Sequence, residues 1–398
     1  MSLLEPAQSS RAFARIRLRC NARLAGVAVA WLVVLSSGSS CGGVATAPGG
    51  VKVDELNAAL TSPWGLAFLP DGRMLVTEKA GRLRRLSADG RSIEAEIAGV
   101  PKVVAAGQGG LMDVVIDPQF ASQPWVYLSY SEPGTGSEAG RAGTAVARGR
   151  LVGAELQALH VIYRQVPKVS GNGHFGSRLA FAPDGNLFVS LGERQLGSPA
   201  QDLATTLGKV VRIRPDGSLP PDNPTLGPGS RPEIWSYGHR NPQGLAIHPD
   251  TGDLWLTEHG PQGGDELNRV QRAGNHGWPL VSYGCPYGSP VGAGCRIGGG
   301  THAPPFVEPV SYWVPTSTAP SGLMFYTGGG FPEWRGNAFV SALAGQTLWR
   351  LVLEGGREVS RDQPLGNALK DRVRFVRQGP DGWIYLLTDT GRLLRIDR

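Results

Sequence analysis

Apolar and polar positions along the chain repeat as one short unit, not with a helical period. Gly65–Thr77 reads Gly-Leu-Ala-Phe-Leu-Pro-Asp-Gly-Arg-Met-Leu-Val-Thr, and Arg178–Ser190 reads Arg-Leu-Ala-Phe-Ala-Pro-Asp-Gly-Asn-Leu-Phe-Val-Ser. Residues 244–257 and 379–388 carry further copies, and weaker ones run over residues 110–129 and 321–341. Each copy predicts a strand, a tight turn and a second strand. Proline presets φ for the turn, glycine supplies the positive φ, and apolar residues alternate with small ones as a packed sheet requires. Glu78–Leu83 and Asp389–Leu393 match each other just after the second strand, which predicts a further hairpin in each unit.

Six copies of a hairpin followed by another hairpin predict an all-β fold, a six-bladed β-propeller of four-stranded antiparallel blades, over residues 54–398. A β-sandwich would not repeat one hairpin signature in this way. The 57 glycines and 31 prolines agree, because they lack a collagen period and fall in turns between short strands. Ahead of this domain, residues 42–53 read as a linker and residues 1–41 as an export signal. Arg11–Arg23 is basic, Leu24–Leu35 is apolar but too short to span a bilayer, and small residues follow. Cys41-Gly42-Gly43 resembles a bacterial lipoprotein attachment site, although Gly38 stands where a leucine is usual. The expected location is therefore the bacterial periplasm or cell envelope, with a lipid anchor at Cys41 as the one route to a membrane.

Charge adds an exclusion. The formal net charge is +6, but residues 1–40 hold five arginines against Glu5 alone. The small remainder gives the domain no electrostatic footprint for nucleic acid. Cys285 and Cys295 share one Gly/Pro-rich loop and read as a disulfide in an oxidising compartment, free thiols being the alternative.

In a propeller the innermost strand of every blade lines the central channel, so residues just before those strands converge at one end. Gln108 precedes Leu111, His174 precedes Leu179, Arg240, Asn241 and Gln243 precede Leu245, Thr316–Thr318 precede Leu323, and Arg372 and Arg374 precede the last copy. Any one of these could be a solvated turn residue; as a ring they predict a polar pocket with one titratable imidazole. The Glu258–Asn268 loop offers carboxylate, amide and main-chain oxygens of the kind hard cations prefer, though its spacing alone is that of a solvated acidic loop.

At these residues the sequence resembles the soluble PQQ-dependent aldose sugar dehydrogenases of the glucose/sorbosone dehydrogenase family. The likeness spans roughly residues 54–398 and is most specific at Gly173–Leu179, Tyr237–Leu245 and the Glu258–Asn268 loop. It implies calcium- and PQQ-dependent oxidation of an aldose at C1 to the lactone. His174 would be the catalytic base, with hydride passing to the quinone; imidazole titrates near the operating pH. Arg240, Asn241, Ser317, Arg372 and Arg374 match cofactor-holding positions, and guanidinium suits the carboxylates of PQQ. Gln108 matches a sugar-contacting position. Gly260 and Pro261 match the carbonyl ligands of the active-site calcium, and Glu266, with backbone near His276, matches a second, structural calcium site. The electron acceptor, a cytochrome or a quinone, is not identified by the sequence.

Three departures bear on substrate. Ala344 stands where glucose-specific members carry a lysine, Gly173 where they carry an acid, and His259 where they carry a glutamine. These favour a broad aldose range. Two rival readings remain at this level: a non-catalytic carbohydrate- or protein-binding propeller, which the missing lysine favours, and a calcium-dependent sugar lactonase, which gives Arg240, Arg372 and Arg374 no obvious use.

Overall fold

The computed structural model describes residues 44–46, 50–366 and 368–398. The export segment and Cys41 lie outside the described residues. Six antiparallel sheets follow one another along the chain. Blade 1 runs from Pro63–Phe68, its innermost strand, to Ile93–Ile97, and blade 2 from Leu111–Ile116 to Glu155–Arg164. Blade 3 runs from Gly176–Phe181 to Ile234–Tyr237, and blade 4 from Pro242–Ile247 to Ser311–Trp313. Blade 5 runs from Pro320–Phe325 to Arg357–Asp362. Blade 6 starts at Val373–Gln378 and takes its outer strands from the other end of the chain. Lys52–Asn57 pairs antiparallel with Leu393–Asp397, and Val44–Thr46 pairs with Lys52–Asn57 as a fifth strand. Of residues 42–53, expected to be a linker, the described residues 44–46 and 52–53 thus contribute strand to the last blade. The ring is closed by backbone hydrogen bonds between Lys52–Asn57 and Leu393–Asp397, which complete the outer part of blade 6. The described residues contain no α-helix, and the Cys285–Cys295 disulfide closes the loop inside blade 4.

The core lies between blades. One cluster joins Leu66, Met74 and Val76 of blade 1 to Phe375, Tyr385 and Leu387 of blade 6, and equivalent clusters fill each other interface around the ring. A blade is therefore stabilised by its neighbours, as in any repeat architecture.

Every innermost strand also shifts register against the second strand near its start, as at Gly176/Leu179 and Val373/Phe375. Such bulges re-aim side chains at a strand end. In the first three blades the hydroxyl that ends the repeat, Thr77, Ser129 or Ser190, fills the bulge. The Ser129 hydroxyl accepts the Asp113 N–H at 2.9 Å and donates to the Ser177 carbonyl of the next blade at 2.6 Å. Ser190 does the same with the Arg178 N–H and the Pro242 carbonyl, both at 3.0 Å. Thr77 accepts the Gly65 N–H and donates to the Met112 carbonyl.

Across the channel axis lies Arg178 of blade 3, 2% exposed. Its guanidinium donates to Gln243 O (2.7 Å), Ser321 O (2.8 Å), Arg374 O (3.1 Å), Trp64 O (3.4 Å) and Asp113 Oδ1 (3.2 Å). These acceptors belong to the innermost strands of the other five blades. The group also packs over the Trp64 and Phe375 rings at 3.8 and 4.4 Å. Burial pushes its pKa down to about 9, but one carboxylate and four carbonyls keep it paired. Arg178 divides the channel: polar strand starts gather on one side, and on the other a cavity of about 380 Å³ is walled by Phe181, Ile247, Phe325 and Val376. Arg178→Met should lower stability by about 3–5 kcal/mol, because it leaves Asp113 and four carbonyls without their buried donor. The urea midpoint of the purified domain measures this.

Candidate active site

His174 sits in the loop leading into blade 3, at φ 48°, a left-handed conformation uncommon for a residue with a side chain. The following residues hold it there. Arg194 donates to the carbonyls of Gly173 (2.8 Å), Ala142 (2.5 Å) and Gly171, and stacks on Phe175 at 3.7 Å. The His174 N–H donates to Gln108 Oε1 at 2.7 Å. The ring is 6% exposed, and its Nδ1 lies 2.6 Å from Glu193 Oε1. A carboxylate can only accept, so Nδ1 carries the hydrogen and Nε2 presents a lone pair. Burial lowers the imidazole pKa below 6.5, while the Glu193 bond opposes the shift. At neutral pH the group is an oriented, unprotonated base.

The polar mouth is a cavity of about 340 Å³, within the range of small-molecule sites. Gln108, Arg372 and Arg374 line it together with Trp64, Lys79, Gln243 and Asp389. Its edge reaches His174 through Gln108, whose carboxamide oxygen also lies 3.4 Å from Asn241 Nδ2. The Asn241 Oδ1 in turn accepts the Gly176 N–H at 3.2 Å. Arg372 Nε and Arg374 Nε each donate to Asp389 at 2.9 Å, and Arg374 Nη1 donates to Gln243 Oε1 at 2.9 Å. Against the penalty of burial, those two guanidinium groups hold the Asp389 carboxyl below the usual range. His259 also lines the cavity. Burial, with the charges of Arg240, His174 and Arg374, pushes it down to about 3, so it is neutral and donates Nε2–H to the Pro320 carbonyl at 2.9 Å.

Two residues expected to grip a cofactor are turned elsewhere. Arg240 donates to the Gly260 carbonyl at 2.7 Å, the His259 carbonyl at 3.2 Å and the Tyr287 hydroxyl at 3.2 Å. Its guanidinium packs against Trp278 and leaves the cavity wall to Arg372 and Arg374. The Ser317 hydroxyl donates to Asp265 Oδ2 at 2.6 Å. Asp265 is the organiser here. It accepts the N–H groups of Thr318 and Ala319 on that same oxygen and the Gly260 N–H on the other, so one buried carboxylate ties the turn before blade 5 to the Gly260 loop.

That loop can present carbonyls inward. A Cβ on Gly260 would stand 2.2 Å from the Gly263 carbonyl oxygen, so only glycine fits. No hydrogen bond among the described residues ends on the Pro261 carbonyl. Hard carbonyl oxygens on a tight turn suit calcium. Glu266 is different: its carboxylate oxygens already face His302 Nε2 at 3.3 Å and Asn268 Nδ2 at 3.0 Å. His276 lines the same small hollow, and both its ring nitrogens lack a partner. The hollow measures about 10 Å³, and among the described residues no group of three or more His, Cys, Asp or Glu is arranged to hold a metal. The side chains alone thus do not make the second calcium site expected at Glu266 and the backbone near His276.

This geometry has close relatives. A family profile for Glucose / Sorbosone dehydrogenase matches residues 60–395. The chain belongs to the glucose/sorbosone dehydrogenase family. It is 44% identical to aldose sugar dehydrogenase YliI of Escherichia coli, over 88% of this chain and 94% of that protein. The crystal structure of the soluble aldose sugar dehydrogenase from Escherichia coli in the apo-form superposes with a TM-score of 0.81 at 42% identity, covering 87% of this chain and 99% of that one. The PQQ-bound aldose sugar dehydrogenase from Streptomyces coelicolor superposes with a TM-score of 0.70 at 30% identity, covering 88% and 99%.

Within this family member, sequence reasoning missed Glu193, Asp265 and Asp389. A signal existed for one of them. An acid directly follows the hydroxyl that ends the second strand in three copies, at Glu78, Glu258 and Asp389. Each meets cationic or N–H donors: Glu78 takes Arg82 and Arg84, and Glu258 takes the Arg240 N–H and His239. Glu193→Gln should move the His174 pKa further down, since the carboxylate is the group that raises it. Titration of the His174 ring protons by NMR reads the shift.

Proposed function

We propose that this protein is a PQQ- and calcium-dependent aldose dehydrogenase that oxidises C1 of a sugar to the lactone. The observation that carries this reading is an imidazole base, oriented by Glu193, in a residue whose backbone N–H bonds Gln108 at the edge of a cavity rich in cationic donors. The family and its PQQ-bound Streptomyces relative support it. Arg372 and Arg374 would hold the carboxylates of PQQ; the Pro261 carbonyl, and the Gly260 carbonyl once Arg240 Nη1 releases it, would hold calcium. Bound there, PQQ supplies the hydride acceptor and calcium the Lewis acid.

The chain's own residues do the remaining work. His174 Nε2 takes the proton of the C1 hydroxyl as the C1 hydrogen leaves with its electron pair, so the sugar loses two hydrogens and becomes a lactone. Glu193 stabilises the imidazolium that forms and prevents the ring from turning. Gln108 orients the sugar beside the base, with Asn241 holding the carboxamide. Gly173 offers no side chain for gripping one particular hydroxyl pattern, which fits a broad aldose range. We also assign the protein to the periplasm or cell envelope, where a cytochrome or quinone would reoxidise it.

Reconstitution with PQQ and calcium, followed by an aldose and an artificial dye, should give dye bleaching. No bleaching across a panel of aldoses, with no PQQ binding, would overturn the assignment in favour of a non-catalytic propeller. His174→Ala should leave PQQ affinity unchanged and lower kcat by about 10²–10⁴-fold. The base is active unprotonated and its pKa lies below 6.5, so kcat/KM should hold steady down to about pH 6.5 and fall only on further acidification.

A further inference from the structure

Three cations border the 340 Å³ cavity, and they are not equivalent. Arg372 and Arg374 share Asp389. Lys79 makes no ion pair among the described residues; its Nζ donates to the Gly107 carbonyl at 2.7 Å. Its main chain is fixed between blades 1 and 2. The Lys79 N–H donates to Ser62 O at 3.1 Å, its carbonyl accepts the Leu111 N–H at 3.1 Å, and a Cβ on Gly110 would stand 2.3 Å from that carbonyl oxygen. The residue also has a defined place in the repeat. It stands two positions after the hydroxyl that ends the second strand, as His259 does in blade 4 and Leu343 in blade 5, and all three line the cavity. Ala344 and Gln346 are exposed and do not.

An ammonium has three donors, and Gly107 uses one. Burial, with the charge of Arg374, lowers the Lys79 pKa, and Asp389 only partly offsets this. Asp389 lines the cavity but is bonded to the two arginines and makes no ion pair with Lys79, and a half-buried cation left without such a partner is satisfied by an anionic ligand. Asp389 already takes up part of the charge of Arg372 and Arg374, so a ligand with three carboxylates needs further positive charge.

We propose that Lys79 is a cofactor-binding residue that pairs with a carboxylate of PQQ from blade 1, beside the arginines of the neighbouring blade 6. This rests on the proposed function, since it takes PQQ as the anion. Because Lys79 bonds Gly107 and the next residue, Gln108, carries the His174 N–H, the same contact couples the cofactor's position to the base.

The experiment titrates apoprotein with PQQ in calcium buffer and follows quenching of tryptophan fluorescence, Trp64 being a cavity wall. Lys79→Met should raise the Kd for PQQ by roughly tenfold, with less dependence of Kd on salt than the wild type. Lys79→Arg should restore most of the affinity, and thermal melting of the apoproteins should be unchanged. Equal Kd values for wild type and Lys79→Met would overturn the assignment while leaving the proposed function standing. An unchanged Kd with a raised KM for aldose would place Lys79 against the sugar and also overturn it. Failure of the wild type itself to bind PQQ would remove the proposed function and this inference together.

Discussion

One guanidinium is hydrogen-bonded to the innermost strand of every blade but its own. Arg178 is a charge in the middle of the protein, and it can remain there because a ring of inward carbonyls and Asp113 replaces its water. Six blades packed by apolar interfaces would form a ring in any case; the polar centre sets the angular position of each innermost strand relative to the rest. Those strands begin with the residues of the candidate site. The distance between His174 and Arg374 is thus governed by a buried charge that touches no substrate.

The site side of the channel repeats the same economy with carboxylates. Asp389 clamps two arginines, Asp265 ties the Gly260 loop to the turn before blade 5, and Glu193 orients His174. Each is buried or partly buried and gains enough partners to offset desolvation. Where no carboxylate is left over for pairing, as at Lys79 beside the doubly bonded Asp389, positive charge is left facing the cavity. The pattern makes the mouth selective for an anion in one part and basic toward a neutral hydroxyl in another.

Much of this was legible in the chain. The Pro-Asp-Gly turns and alternating strands predicted six four-stranded blades, and the polar residues before Leu111, Leu179 and the final copy predicted one cavity. Gln108, Arg372 and Arg374 do line it, with His174 attached at its edge. Less legible were the orientations. Arg240 precedes its strand as Arg372 does, yet it turns to the Gly260 carbonyl and Tyr287, because the blade 4 loop offers acceptors there. Ser317 is drawn to Asp265 by the same logic of burial. Glu193 and Asp265 stand in no repeated register with the groups they serve, so no spacing announced them.

The sequence by itself determined the number of blades, the strand and turn chemistry of each, and the residues that enter the mouth of the channel. All of these follow from contacts within a dozen residues, where turn propensity and alternation act. Only the tertiary structure decided that residues 52–57 close the last blade, that Arg178 spans the channel, and which cation goes unpaired beside Asp389. Those outcomes depend on distances between blades, and in a low-dielectric interior the energy of a charge is set by what surrounds it in space, whatever its separation along the chain.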